Sequence, residues 1–337
     1  MTSTIVFRSH IIRALLSVTL VASAARCRQP AQQETPLVRL RRERLAALRS
    51  LDLPAARSAR TPAIARHLRV IVTASGVDLD SSELLTAPNA TLQNAVRTNV
   101  VAVTNGEFRA QDLRGGESGF LIEPLRDALA THTASLAANR EARERLPIAV
   151  YAPRSTSTKT MYKLLYTLGQ EGFVTVQFAM RRRDEIVGLT LPIPTSSRER
   201  DREVRASDCD SIQIKYTEQR LTIEREIVAA GQLAHYEPRA FRRALAAFPL
   251  PGERVEVTDA APPTPPITTS VPATDGALDR EAVATAVRSI TGDAGRPWCE
   301  EPTIAISQRV PHGAATELRE QLEFELGLAA PRMGILN

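Results

Sequence analysis

Apolar residues follow two different periods in the first half of the chain. Val70 and Val72 alternate with Ile71 and Thr73, and Val77–Asp80 alternates apolar with acidic residues, which predicts a β-hairpin with Gly76 in its turn. Apolar residues recur every three or four residues from Gly119 to Ala138 and from Met161 to Leu168, which predicts two amphipathic helices. A short apolar strand lies between these helices and another strand follows them. The predicted order is β-β, an insert, α-β-α-β.

The second half of the chain repeats this order of elements. The nine-residue spacing from Val70 to Leu79 equals the spacing from Ile212 to Leu221, so we superpose the two hairpins on these residues. We therefore predict an α+β fold of two tandem small two-layer domains, each a mixed sheet with two helices packed on one face. The later elements of the repeat are a helix over Val283–Ile290, a strand over Thr303–Ile306 and a helix that ends at Gly327.

Two local patterns add detail to the repeat. From strand start to terminating glycine, Ile148 to Gly172 spans 24 residues and Ile304 to Gly327 spans 23. Within the insert of the first half, the dipeptide Asn105-Gly106 between short apolar stretches predicts a second, smaller hairpin.

Changes in composition predict the boundaries between segments. Residues 195–208 are polar, rich in arginine and without periodicity, which is typical of an exposed linker. Seven prolines between Pro249 and Pro272 predict an extended excursion from the second domain. The predicted segments are a signal peptide (1–25), a basic leader or tether (26–66), domain 1 (67–194), the linker (195–208) and domain 2 (209–337) with a proline-rich insert (249–275).

The N-terminal segment has the layout of a secretory signal. Arg13 precedes an apolar run, Ala14–Ala25, and Ala22-Ser23-Ala24 fits the pattern of small residues at a cleavage site. The run is shorter than the roughly 20 residues that a membrane span needs, so we expect cleavage and a periplasmic protein, with retention as an anchor left open. Cys27 offers lipid attachment as an alternative, which Arg26 disfavours because a lipobox has a small residue there. The basic leader leaves open a peripheral association with anionic lipid.

Charge and motif content exclude several function classes. The net charge is +5 and the pI near 9.4, but basic residues alternate with acidic ones, as in Arg198–Glu203, so we expect no nucleic-acid partner. With 3 Cys and 5 His, the chain contains no CxxC or HxxxH pair, and it also lacks a P-loop, GxGxxG and GxSxG. We therefore predict no catalytic residue, no cofactor and no metal site.

The first half resembles the periplasmic domain of the ExbD/TolR biopolymer-transport family. Leu68–Leu79 resembles that domain's opening hairpin, and Ile148–Pro153 with Met161–Val176 resembles its closing strand, helix and strand. The resemblance covers residues 67–181 and, more faintly, 210–336. It implies a small sheet with two helices on one face, in a protein that works beside a proton-driven motor of the inner membrane. The family's membrane span carries an aspartate, whereas Ala14–Ala25 contains no acidic residue, so we expect no proton transfer by this chain.

These observations predict a non-enzymatic exported envelope protein that binds or scaffolds, associated with a proton-driven transport or envelope-integrity system. The expected partner is an envelope protein or a cell-wall polymer. Because domains of this family act as pairs, we expect the two copies to pair within the chain. Two alternatives stay open: an exported enzyme whose site is assembled from distant residues, and a lipid-anchored regulator of a transport motor.

Three groups of residues are candidates for specific roles. Cys209 and Cys299 each precede a predicted strand, and in an oxidising compartment parallel neighbouring strands would bring them into a disulfide. The run Arg181-Arg182-Arg183 is a candidate patch for an anionic partner. The scattered histidines are interpreted as ordinary surface or core residues. They are His67, His132, His235 and His312.

Overall fold

The computed structural model describes eight stretches of the chain. The described residues are 34–64, 67–85, 95–134, 146–193, 209–228, 266–292, 302–328 and 332–336. The predicted signal peptide, Cys27, the predicted linker, His235 and Cys299 lie outside these residues. The chain divides into two compact units, Met1–Glu43 and Arg44–Asn337, and both sheets belong to the second unit.

A helix, α1, covers Pro36–Arg49 and precedes the first half. Seven strands of the first half then form one sheet in the order β4-β3-β2-β1-β5-β6-β7. The strands are β1 (Leu68–Val72), β2 (Gly76–Asp80), β3 (Val96–Thr104), β4 (Glu107–Phe108), β5 (Ile148–Tyr151), β6 (Thr175–Arg182) and β7 (Glu185–Pro192). The helices of this half are α2 (Glu123–Ala134) and α3 (Thr158–Gln170).

The second half forms a six-stranded sheet in the order β11-β10-β9-β8-β12-β13. The strands are β8 (Cys209–Tyr216), β9 (Arg220–Val228), β10 (Ile267–Thr274), β11 (Ala277–Leu278), β12 (Thr303–Ser307) and β13 (Arg332–Leu336). The helices are α4 (Arg280–Thr291) and α5 (His312–Glu320), and a π-helical turn covers Gln321–Glu325 directly after α5. None of the helices in the described part of the chain combines the length and apolarity needed to cross a bilayer.

The two sheets share one topology, which confirms the predicted α+β fold. Each half begins with an antiparallel hairpin, and its first strand then pairs in parallel with the strand that follows the first helix. Each half has its own apolar core between sheet and helices. The first sheet has one strand more than the second, because β7 pairs with β6 through a tight turn at Arg183.

The predicted superposition of the hairpins is wrong by two residues. Val70 lies opposite Leu79 on β1 and β2, and the pair at the same distance from the turn on β8 and β9 is Ile214 with Ile223. Val70 is therefore equivalent to Ile214 and not to Ile212. A shift of two residues keeps every side chain on the same face of a strand, so the apolar alternation could not reveal it.

The predicted proline-rich insert, 249–275, ends too late, because β10 begins at Ile267. Pro272 lies within β10, where it pairs with Arg220 of β9. The outer neighbour β11 pairs only with Ala273 and Thr274, so the missing N–H of Pro272 leaves no gap in the ladder.

Both halves contain the small second hairpin that was predicted only for the first. Asn105 and Gly106 have φ of 54° and 78° between β3 and β4, which confirms the prediction there. Asp275 and Gly276 have φ of 50° and 72° between β10 and β11. The dipeptide Asp-Gly is a strong signal for this turn and could have revealed the second hairpin in the sequence.

Candidate functional site

The two halves meet at the N-terminal ends of α3 and α5. Val150 pairs with Val70 and Ile304 pairs with Ile214, so these two residues are equivalent in β5 and β12. Seven residues further along, Ser157 and Pro311 are therefore equivalent as well. They pair with each other in an isolated antiparallel bridge. A contact between equivalent residues is the mark of a local two-fold relation.

The residues beside this bridge repeat the same relation. The His312 N–H donates to the Thr156 carbonyl at 2.8 Å, and the Thr158 hydroxyl donates to the Val310 carbonyl at 2.6 Å. Thr156 is equivalent to Val310, and Thr158 is equivalent to His312, so equivalent residues are joined in both directions, by a backbone N–H of His312 in one and by the Thr158 hydroxyl in the other. We call this set of contacts the pairing contact.

His312 packs at the centre of the pairing contact. Its ring lies 4.8 Å from the Phe178 ring in an edge-to-face arrangement, and Thr316 Oγ1 lies 3.2 Å from its Nδ1. Complete burial lowers the pKa of His312 to about 3, because the surroundings disfavour a charged imidazolium. The adjacent Gly313 donates its N–H to the Arg154 carbonyl at 2.9 Å. A Cβ at Gly313 would lie 2.5 Å from Arg154 Cβ and 2.9 Å from its Cα.

A segment of the predicted leader, Asp52–Thr61, lies against both halves, and we call it the strap. It is extended as far as Ser58 and then turns, with the Thr61 N–H donating to the Ser58 carbonyl at 3.4 Å. The carboxylate of Glu320 accepts hydrogen bonds from the N–H groups of Arg57 and Ser58, at 3.0 and 2.6 Å, and from the Thr61 hydroxyl at 3.1 Å. Glu317 accepts from the Ala55 N–H at 3.0 Å. Two glutamates of α5 in the second half therefore hold one side of the strap.

Two of the arginines predicted to bind an anionic partner, Arg181 and Arg182, contact the leader. One nitrogen of Arg181 donates to the carbonyls of Arg49 and Leu51, at 2.8 and 3.0 Å. Arg182 donates to the carbonyls of Ala59 and Thr61, both at 3.0 Å. These guanidinium donors satisfy backbone oxygens within the chain, and the patch for an anionic partner stays a prediction.

Arg183, the third residue of the predicted patch, has a different position. It has a φ of 54° in the turn between β6 and β7, and its side chain is exposed. A single exposed arginine of this kind is an ordinary feature of a solvated turn.

A buried charge cluster lies on the strap side of the first sheet and was not predicted. Arg69 forms an ion pair with Asp80 at 3.0 Å, with side-chain exposures of 2% and 0%, and Arg69 also contacts Glu83. The second half also has a buried ion pair, between Arg225 of β9 and Asp210 of β8 at 2.7 Å. Here the arginine lies on the second strand of the hairpin, whereas Arg69 lies on the first. The sequence gives little signal for either pair, because an alternating arginine normally indicates an exposed face.

The described histidines are buried within the fold. The His67 ring nitrogen lies 2.9 Å from the Tyr151 hydroxyl. Burial lowers the pKa of His132. Among the residues that the structure describes, no group of three or more His, Cys, Asp and Glu residues could hold a metal ion.

Cys209 is completely buried at the start of β8 and is disulfide-bonded. Gln213 of β8 lies opposite Thr303 of the parallel strand β12. Cys209 lies four residues before Gln213, and Cys299 lies four residues before Thr303. The strands thus have the parallel, adjacent arrangement on which the Cys209–Cys299 pairing was based, and the pairing itself stays a prediction.

Comparison with known proteins returns no relative. No family model, curated protein or solved structure matches this chain. The candidate site is therefore argued from its own geometry.

Proposed function

We propose that this chain is a non-enzymatic exported envelope protein of the ExbD/TolR-like type. In this proposal it binds or scaffolds other components beside a proton-driven transport or envelope-integrity system. The observation that carries the proposal is the pairing contact, in which the equivalent residues Ser157 and Pro311 meet. A chain that contains two copies of one domain in two-fold contact resembles a dimer of single-domain subunits, and paired domains are what the family resemblance implies.

The outer edge of the second sheet offers a surface for a partner. Within the described residues, β11 pairs only with Ala273 and Thr274, at the end of β10. The Ala273 N–H donates to the Gln219 carbonyl on the side of β9. Successive residues of a strand direct their backbone groups to opposite sides, so those of Thr268 and Ser270 point away from β9 toward the open edge. An edge of this kind binds an extended segment by adding a strand to the sheet.

The corresponding edge of the first sheet is less regular. In β3 the residue Asn99 has a φ of 49°, and its N–H donates to the Asp78 carboxylate at 2.9 Å. The register between β2 and β3 shifts at this point. Because a bulge interrupts the straight row of donors and acceptors that a new strand needs, we propose β10 as the edge that binds. The proposed partner is an extended segment of an envelope protein.

Photo-crosslinking in the full chain tests this proposal. A photoreactive amino acid at Thr268 should crosslink to one defined extended segment of an envelope protein, identified by mass spectrometry. The same group at Thr131, an exposed position on α2, is the matched control and should give no such product.

A backbone variant completes the test. Ser270→Pro removes one outward N–H from β10 and should reduce the crosslink at least tenfold, while Ser270→Thr should retain it. A crosslink that both variants retain would contradict strand addition at β10. Turnover of a substrate by the purified chain would contradict the non-enzymatic function.

A further inference from the structure

The strap is held mainly through its backbone. On the N–H side, Glu317 and Glu320 accept hydrogen bonds from three strap residues, at 2.6 to 3.0 Å. On the carbonyl side, Arg182 donates to the strap oxygens of Ala59 and Thr61. Backbone groups are common to all peptides, so these contacts recognise an extended conformation more than a particular sequence.

The main chain of β6 adds two further contacts to the strap. The Ala56 N–H donates to the Arg181 carbonyl at 2.8 Å, and the Arg181 N–H donates to the Pro54 carbonyl at 2.7 Å. This short parallel bridge places the strap beside the sheet as an added segment of strand. The cleft that holds the strap is therefore lined by two glutamates, by the side chain of Arg182 and by the backbone of β6.

The side chains of the strap define which segments fit this cleft. Leu53, Ala56 and Ser58 are buried, and Thr61 is buried with its hydroxyl on Glu320. The side chain of Arg57 is exposed. A fitting segment is therefore extended through a large apolar residue and small residues, and then turns to present a hydroxyl residue to Glu320. Any residue fits at the exposed position of Arg57.

We propose that the strap is an internal ligand in a peptide-binding cleft, and that this cleft also binds an extended segment of this chemistry from a partner protein. The cleft uses β6 and α5 and is separate from the β10 edge, so the proposal does not depend on strand addition there. In the intact chain the strap competes with the partner at the effective concentration of a tethered ligand, which is on the order of millimolar. Release of the strap would make the cleft available.

A synthetic, dye-labelled peptide of residues 52–64 tests this proposal on the full chain. Ser58→Pro removes the N–H that Glu320 accepts at 2.6 Å and weakens the strap, and Thr61→Val removes a hydroxyl donor as a milder second variant. Fluorescence anisotropy should show at least tenfold tighter binding of the peptide to each variant than to the wild type. Arg57→Ala alters an exposed strap side chain and should leave the wild-type affinity unchanged.

A second substitution within the cleft locates the binding. Glu320→Gln, in a chain that carries both Ser58→Pro and Thr61→Val, should weaken peptide binding at least tenfold. The strap of that chain keeps only one of its three donors to Glu320, whereas the peptide brings all three, and a neutral amide accepts hydrogen bonds less strongly than a carboxylate. Glu281→Gln alters an exposed glutamate of α4 and serves as the matched control. Circular dichroism establishes that every variant is folded.

Three results would overturn the proposal. The first is a folded, strap-weakened chain that binds the peptide no more tightly than the wild type. The second is binding that Glu320→Gln leaves unchanged. The third is a concentration-dependent dimer of the strap-weakened chain that excludes the peptide, because the occupant would then be the strap of a second copy.

Discussion

At the scale of single residues, His312 links the pairing contact to pH. Its folded pKa of about 3 lies below the ordinary value near 6.5, so the unfolded chain binds a proton more readily than the folded chain between these values. The stability that neutral His312 contributes is complete above pH 6.5 and is lost as the pH falls toward 3. We expect the free energy of unfolding to fall by about 2 kcal/mol from this residue between pH 7 and pH 5.

Urea unfolding at several pH values measures this contribution. The variant His312→Asn keeps a polar side chain that does not titrate, so its stability should fall by about 2 kcal/mol less than the wild type over the same range. His132 is present in both proteins, and its own titration cancels in the comparison. Parallel pH profiles for the two proteins would show that His312 does not couple folding to protonation.

Residue-scale roles were the hardest part of the site to predict. A run of three arginines is normally a solvated charge run, and nothing in the local sequence indicates that Arg181 and Arg182 bind carbonyls of the leader. Glu320 is equally uninformative in sequence, because its position in a helix is compatible with either burial or exposure. Such contacts join residues more than 120 positions apart, and a periodic pattern reports only on near neighbours.

At the scale of elements, the two small hairpins provide matched sites for one substitution. Gly106 has a φ of 78°, and a Cβ there would meet nothing within 4 Å, so Gly106→Ala should cost about 1 kcal/mol of backbone strain. Gly276 has a φ of 72°, and a Cβ there would also lie 3.2 Å from Pro311 Cδ. Gly276→Ala should therefore destabilise the chain more than Gly106→Ala.

Chemical denaturation of the two variants checks this order. The Gly276 carbonyl also accepts a hydrogen bond from the buried Tyr216 hydroxyl, so movement of the turn would disturb this contact as well. Equal losses of stability in the two variants would show that Pro311 and Tyr216 relax without cost.

Periodicity predicted most elements because alternation and helical spacing reflect burial of one face. It missed β7 because Glu185–Pro192 follows β6 through a two-residue turn of arginine and aspartate that carries no glycine. It placed β10 in the insert because proline was taken to exclude a strand, whereas an edge strand accepts Pro272.

The π-helical turn explains why the two closing segments differ in length. From the equivalent residues Val150 and Ile304, the terminating glycines Gly172 and Gly327 lie 22 and 23 residues away. The turn at Gln321–Glu325 takes up one additional residue before the second glycine. The sequence predicted the glycines but could not predict which local geometry would absorb the difference.

At the scale of the whole molecule, the predicted Cys209–Cys299 bond would close a loop of about 90 residues in the second half. In the chain-entropy model, such a bond stabilises the folded state by on the order of 4 kcal/mol. Peptide mapping without reduction should recover Cys209 linked to Cys299, with Cys27 outside this bond. Recovery of Cys209 linked to Cys27 would contradict the prediction.

The pairing contact and the strap also determine how the two halves unfold. Each half has its own apolar core, but His312, Phe178 and Glu320 connect them, so we expect one cooperative thermal transition for the wild type. Gly313→Leu would push a side chain into the Arg154 backbone, where even a Cβ lies 2.9 Å from the carbonyl oxygen. This variant should separate the two halves while leaving each core intact.

Differential scanning calorimetry distinguishes the outcomes. Gly313→Leu should show two transitions, or one broadened transition whose van't Hoff enthalpy is smaller than its calorimetric enthalpy. Thr285→Leu places the same side chain on the exposed face of α4 and should keep the single transition. If Gly313→Leu still unfolds in one sharp transition, the pairing contact does not couple the unfolding of the two halves. The description of this chain as an internal pair would then rest on geometry alone, without support from stability.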